Sequence, residues 1–160
     1  MNILQRLEDL QITLAPPVSN NKPYGTYVVI GNMVFLSGHG PDRAGAKWKG
    51  GVGTSYSVEE GYTAARSCAV NLLSTLQAAV PDLNAVRIVK VTGFVQAPSG
   101  FAEQPQVING CSDLLRELYG DERGKHARSA IGVASLPNDW PVEIEMIAEI
   151  VQAVTALTRT

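Results

Sequence analysis

The residues in this chain best suited to chemistry are one strand arginine and the alternating glutamates that follow it. Arg128 lies in the segment from His126 to Ser135, and Glu143, Glu145 and Glu149 lie in the last apolar segment of the chain. A guanidinium taken out of water without a carboxylate beside it is costly, so Arg128 needs such a partner from the protein or from a ligand. The planar fork of arginine suits two-pronged carboxylate binding better than lysine does. The purely structural alternative pairs Arg128 with Glu143, Glu145 or Glu149. If 126–135 and 142–153 form a hairpin across Leu136–Pro141, Arg128 falls opposite Glu149. Glu143 then lies near Ala134, about 20 Å from Arg128 along the ladder. In that register a pair with Glu149 is structural, and Arg128 meets Glu143 only where two subunits bring different edges together.

Other chemistries lack their signatures. There is no Gly-x-Ser-x-Gly, no phosphate-binding Walker sequence, no His-Glu-x-x-His and no glycine-rich dinucleotide loop after a strand. His39 and His126 are the only histidines and stand far apart, so no metal site is expected. Cys68 and Cys111 fall on apolar helix stripes and read as buried free thiols of a reducing compartment. The net charge of −2 and the scatter of the 13 Lys and Arg residues argue against a nucleic-acid partner. No apolar run approaches the roughly 20 residues that span a bilayer. The N-terminal segment carries charges within its apolar run and does not read as a secretory signal. A cytoplasmic protein without a membrane partner is expected.

The elements that must position Arg128 and Glu143 follow from periodicity. With 160 residues, 45% hydrophobic and 18% charged, the chain fits a single globular domain over 1–160. Residues 2–11 have helical spacing, and 1–17 read as an N-terminal helical extension. Gly31-Asn32 between two β-branched runs predicts a hairpin of strands 25–30 and 33–37, with a type II′ turn favoured. The glycine-rich stretch 38–56 reads as loop, with a short strand near Trp48. Ser57 and Glu60 form a capping-box pattern that opens a helix to about residue 80. A strand over 85–97 follows, with a bulge near Lys90, then a helix from Pro105 to Tyr119 capped by Gly120. Strands at 126–135 and 142–153 complete an α+β order, with two helices covering one face of a mixed sheet.

The segment His126–Ile150, an Arg-Ser followed by a Leu-Pro turn and a Val-Glu-Ile-Glu strand, closely resembles the C-terminal signature of the RidA/YjgF family. Pro23-Tyr24, Gly31-Asn32-Met33, Ser37-Gly38 and Asn109 extend the resemblance over most of 22–152. It implies a chorismate-mutase-like fold assembled as a homotrimeric barrel, with ligand clefts between subunits. It implies hydrolysis of small 2-imino or 2-enamino acids to 2-keto acids and ammonia, without cofactor or metal. In that scheme Arg128 clamps the substrate carboxylate and Glu143 holds or activates the attacking water. Tyr24, Ser37, Gly38 and Asn109 line the cleft, and His39 lies beside it. The family archetype reads Pro-Ala-Arg-Ser-Cys where this chain reads His126-Ala-Arg-Ser-Ala130, and this chain is longer at its N-terminus, at 38–56 and at 99–105. These departures resemble a longer branch of the family. The alternative function is a non-catalytic trimer that binds small carboxylates through Arg128. The ribonuclease activity attached to some members fits the acidic balance poorly.

Overall fold

A computed structural model describes residues 2–16, 22–42 and 47–151. Strands β1 (Tyr27–Ile30) and β2 (Met33–His39) form the expected hairpin, with Ile30 opposite Met33. Gly31 takes a φ of 60°, whereas Asn32 is not among the positive-φ residues, in keeping with a type II′ turn. The Asn32 amide donates to Glu149 Oε1 at 3.0 Å, and its carbonyl accepts from Ile150 N at 2.7 Å. The turn is thereby pinned to the far end of the last strand.

Helix α1 (Ile3–Asp9) is capped by Asn2 and buries Ile3 and Leu7. Helix α2 (Val58–Ala79) opens with the capping box: Glu60 N donates to Ser57 Oγ at 3.1 Å, and Ser57 N donates to Glu60 Oε2 at 2.8 Å. Strand β3 (Val86–Gln96) has the bulge, between Ile88 and Lys90. Helix α3 runs over Gln104–Gly124, further than expected. Gly120, at φ 71° and ψ −178°, interrupts it, but one more helical turn follows. Strands β4 (Ala127–Val133) and β5 (Val142–Ile150) complete the fold. Residues 152–153 of the expected last strand lie outside the described residues, and the described residues around Trp48 form no strand. Trp48 packs instead on Tyr56, with ring centroids 5.1 Å apart.

The sheet order is β1-β2-β5-β3-β4. The expected β4–β5 hairpin is therefore wrong: β3 lies between them, parallel to β4 and antiparallel to β5. The connection 134–141 crosses the end of β3 and is held there by Gln96. Its backbone N donates to Pro141 O at 2.9 Å, and its side chain bonds Asp139 Oδ1 at 2.6 Å and Leu136 N at 2.8 Å. Two of those bonds satisfy the backbone groups of Leu136 and Pro141 near the ends of the connection.

One face of the sheet is roofed by α2 and α3. Leu72, Leu73 and Leu76 of α2 and Ile108, Leu114 and Leu115 of α3 are wholly buried against Val91, Val95, Ile144 and Met146. The two helices approach so closely at Gly110 that a Cβ there would collide with the Tyr62 carbonyl. Cys68 and Cys111 are buried and unpaired, as expected, and burial pushes the Cys111 thiol up to about 12. Among the described residues, no helix covers the opposite sheet face. Val28, Phe35 and Ile131 are 52%, 41% and 44% exposed. No helix among the described residues is long and apolar enough to cross a membrane.

Candidate functional site

Arg128 pairs with Val91 in the β3–β4 ladder, and Val91 is fully buried beneath the helices. Cα partners point to the same side of a sheet, so the arginine rises on the helix-bearing face at the sheet edge. There Nη1 donates to Asn109 Oδ1 at 2.8 Å and to Ser112 Oγ at 3.1 Å. Among the described residues, Nε and Nη2 have no protein partner, and no carboxylate lies within ion-pair distance of the guanidinium. The structural alternative is thereby removed. Glu149 sits instead by Arg87, at 3.9 Å, and by Asn32.

Ser112 and His126 belong to this cluster and were not anticipated from the sequence. His126 Nε2 lies 3.1 Å from Ser112 Oγ, and Nδ1 lies 2.7 Å from the Gly124 carbonyl. Burial holds the imidazole below its usual pKa, with the Arg128 charge acting in the same direction and the Gly124 bond opposing. A signal was available: Asn109 and Ser112 are three apart on a helix, and His126 and Arg128 are two apart at a strand, both same-face spacings.

Glu143 pairs with Phe94 on the opposite, uncovered face. The β2–β5 register shifts between Leu36 and His39, and this irregularity brings Gly38 under the Glu143 carboxylate. A Cβ on Gly38 would collide with Glu143 Oε1. Glu143 is half-buried, and its pKa is raised by burial and then by the Glu145 charge, with Lys22 opposing. Lys22 links Glu143 to Tyr24, because its ammonium stands 5.4 Å from the Tyr24 ring centroid. Tyr24 is 54% exposed. The Ser37 hydroxyl donates to Gly25 O at 2.8 Å, which ties the segment after Tyr24 to β2.

The expected site residues therefore form two groups within one chain. Tyr24, Ser37 and Gly38 gather near Glu143, and Asn109 gathers at Arg128. The two groups lie on opposite faces of the sheet with β3 between them. His39 follows Gly38 at the end of β2. Its Nδ1 lies 2.7 Å from Ser37 O of its own strand, and its Nε2 lies 2.8 Å from Thr75 Oγ1, which ties β2 to α2. Among the described residues, no cluster of His, Cys, Asp or Glu is placed to hold a metal ion.

Known proteins share this arrangement of chain. The sequence model of the family described as Endoribonuclease L-PSP matches residues 15–150. Protein TCP17 of Trypanosoma cruzi is 42% identical over 149 residues, covering 92% of this chain and 91% of that protein. The crystal structure of Atu1372 from Agrobacterium tumefaciens, a protein of unknown function, superposes with a TM-score of 0.83 at 40% identity, covering 92% of each chain. A candidate endoribonuclease from Shewanella oneidensis MR-1 superposes with a TM-score of 0.87 at 27% identity, covering 93% of this chain and 99% of its own. The fold is the chorismate-mutase-like α+β fold of these proteins. The chain belongs to the Endoribonuclease L-PSP family, that is, to the RidA/YjgF proteins.

Proposed function

We propose that the protein hydrolyses small 2-imino or 2-enamino acids to 2-keto acids and ammonia, in clefts between the subunits of a homotrimer. The observation that carries this reading is the anchored Arg128, which has its Nη1 bonds satisfied and its Nε/Nη2 edge without a protein carboxylate. That edge presents two parallel donors, the geometry that receives a carboxylate side-on. The apolar, uncovered sheet face supports assembly, since an exposed patch around Val28, Phe35 and Ile131 favours burial against another subunit. Assembly through that face is also the route by which Glu143 of one subunit reaches Arg128 of the next.

The chemistry needs little more. Arg128 orients the substrate through its carboxylate, and Asn109 holds the guanidinium. Water adds to the electrophilic iminium carbon while Glu143 accepts a proton from it; the C–O bond forms and the C=N π pair moves to nitrogen. Glu143 then returns a proton to that nitrogen, and the C–N bond breaks with its electron pair leaving on ammonia. The hydroxyl oxygen forms the C=O bond and gives its proton to the ionised Glu143, and the 2-keto acid results. A carboxyl whose pKa is raised by burial takes up a proton more readily than an ordinary carboxylate and keeps its acid form to a higher pH, which suits a group that must do both. A single guanidinium and a half-buried acid on a chain of net charge −2 suit a small carboxylate better than an RNA backbone.

Co-expression of Arg128→Ala with Glu143→Gln tests the reading. Each variant alone is expected to be inactive towards an imino acid generated in situ, read as ammonia release. Random assortment at a heterologous interface is expected to restore one site in three within each mixed trimer, about a quarter of all sites. No recovery in verified mixed trimers overturns the shared cleft. Arg128-dependent binding of a 2-keto acid without enhanced ammonia release would instead identify a carboxylate-binding trimer. Gly38→Ala gives a narrower check. The new methyl must displace the far end of the Glu143 side chain, so turnover is expected to fall about tenfold with the unfolding midpoint nearly unchanged.

A further inference from the structure

We infer that His126 is a positioning residue for Arg128, acting through the Ser112 hydroxyl; this rests on the reading that Arg128 receives the substrate carboxylate. The direction of each hydrogen bond follows from which atoms carry protons. The Gly124 carbonyl, 2.7 Å from Nδ1 of His126, can only accept, so Nδ1 carries the imidazole proton. In the neutral ring Nε2 is then an acceptor, and the Ser112 hydroxyl 3.1 Å away donates to it. That uses the only proton of the hydroxyl. The lone pairs of Oγ remain for Arg128 Nη1, which can only donate, at 3.1 Å. The second Nη1 hydrogen goes to Asn109 Oδ1 at 2.8 Å.

Both Nη1 hydrogens are thus committed, and the guanidinium plane is fixed with its Nε/Nη2 edge free for a ligand. Neutral His126 sets the polarity of the whole chain of bonds. A ring protonated at Nε2 would instead donate to Ser112 and place a second cation beside Arg128. Burial disfavours that state. Without the imidazole, the serine proton has an alternative in the helix carbonyl four residues back, and Oγ is no longer held for Arg128. The helical turn beyond Gly120 has a role here, because it delivers the Gly124 carbonyl to the ring. Neither Ser112 nor His126 touches the substrate in this scheme.

Two measurements test the inference. In the imidazole nitrogen NMR spectrum at pH 8, His126 is expected as the Nδ1–H tautomer, assigned by its loss in His126→Gln; an Nε2–H tautomer overturns the relay whatever the ligand. Titration calorimetry with 2-oxobutanoate then compares wild type, Arg128→Ala, His126→Ala, His126→Gln, Ser112→Ala and the His126→Ala/Ser112→Ala pair. His126→Ala is expected to weaken binding about tenfold, the scale of one hydrogen bond to a charged group. His126→Gln is expected to restore most of that loss, because its amide oxygen can accept from Ser112. The double variant is expected to bind no worse than Ser112→Ala. Unchanged affinity in His126→Ala overturns the inference, as does a loss that glutamine does not rescue and that adds to the Ser112 effect. Binding that is absent in wild type or that survives Arg128→Ala removes the carboxylate reading, and the inference with it. That failure differs from the others because the silent variant is Arg128→Ala, not His126→Ala.

Discussion

Arg128→Ala is expected to lower kcat/KM for a 2-imino acid by about 100-fold or more while the protein still folds. The substitution removes two charge-assisted hydrogen bonds to the substrate carboxylate, each worth about 1.5–3 kcal/mol. It also removes the orientation that those bonds impose on the iminium carbon. The cost to the fold is small because, among the described residues, the guanidinium makes two bonds, both from Nη1, to Asn109 and Ser112. Arg128→Lys is expected to recover little. An ammonium restores the charge but cannot hold Asn109 and Ser112 with one nitrogen while offering two parallel donors to the ligand. Steady-state ammonia release, with thermal unfolding as the control, checks both. Wild-type kinetics in Arg128→Ala would remove the proposed function.

Glu143→Gln is expected to lower kcat by about 10²–10⁴, the range for loss of a positioned general base, with KM little changed because the carboxylate clamp is intact. The sign of its effect on stability runs the other way. The Glu143 carboxyl titrates above its ordinary value of 4.5, chiefly because of burial. Between the unfolded and folded pKa the native protein keeps a proton that the unfolded chain releases. Its stabilising contribution is therefore complete below the unfolded pKa and is lost as pH rises through the folded one. Above the folded pKa the ionised carboxylate opposes folding, and the amide does not. Glu143→Gln should thus unfold at the same or a higher temperature than wild type at pH 7, with any advantage gone at pH 4. A lower midpoint at pH 7 would mean that the carboxylate stabilises the fold.

Element types were legible in the sequence because apolar period and cap chemistry fix them locally. Ser57 and Glu60 announced α2, Gly31-Asn32 announced the hairpin, and the slip near Lys90 announced the bulge. Strand order was not legible. Alternation in 126–135 and 142–153 says which side chains share a face, not which strand lies alongside. The short Leu136–Pro141 connection favoured a hairpin, since consecutive strands usually pair. The bonds from Gln96 to that loop, which accompany the crossover, depend on three-dimensional placement. The separation of Arg128 from Glu143 survives the correction on different grounds, namely opposite sheet faces with β3 between them. Trp48 misled because an aromatic within a glycine-rich loop can pack on a neighbour such as Tyr56 without entering a strand. Arg128 and Glu143 were singled out through the family resemblance, and the structure puts Asn109 beside the first and Gly38 beside the second. Ser112 and His126 were missed because a helix serine and a histidine two residues before an arginine are too common to stand out before their spacings are considered together.

The insertion of β5 between β2 and β3 has a consequence for how the molecule comes into being. The strand that fills the middle of the sheet is the last described element, so during synthesis the β1–β2 hairpin and the β3–β4 pair wait with unmatched inner edges until residues 142–150 leave the ribosome. Joining them closes contacts of long sequence separation in one late event, which raises contact order and slows folding. A nascent chain halted before Val142 carries two open strand edges, an invitation to pair with other chains. The segment that bears Glu143 is thus also the one whose arrival completes the sheet.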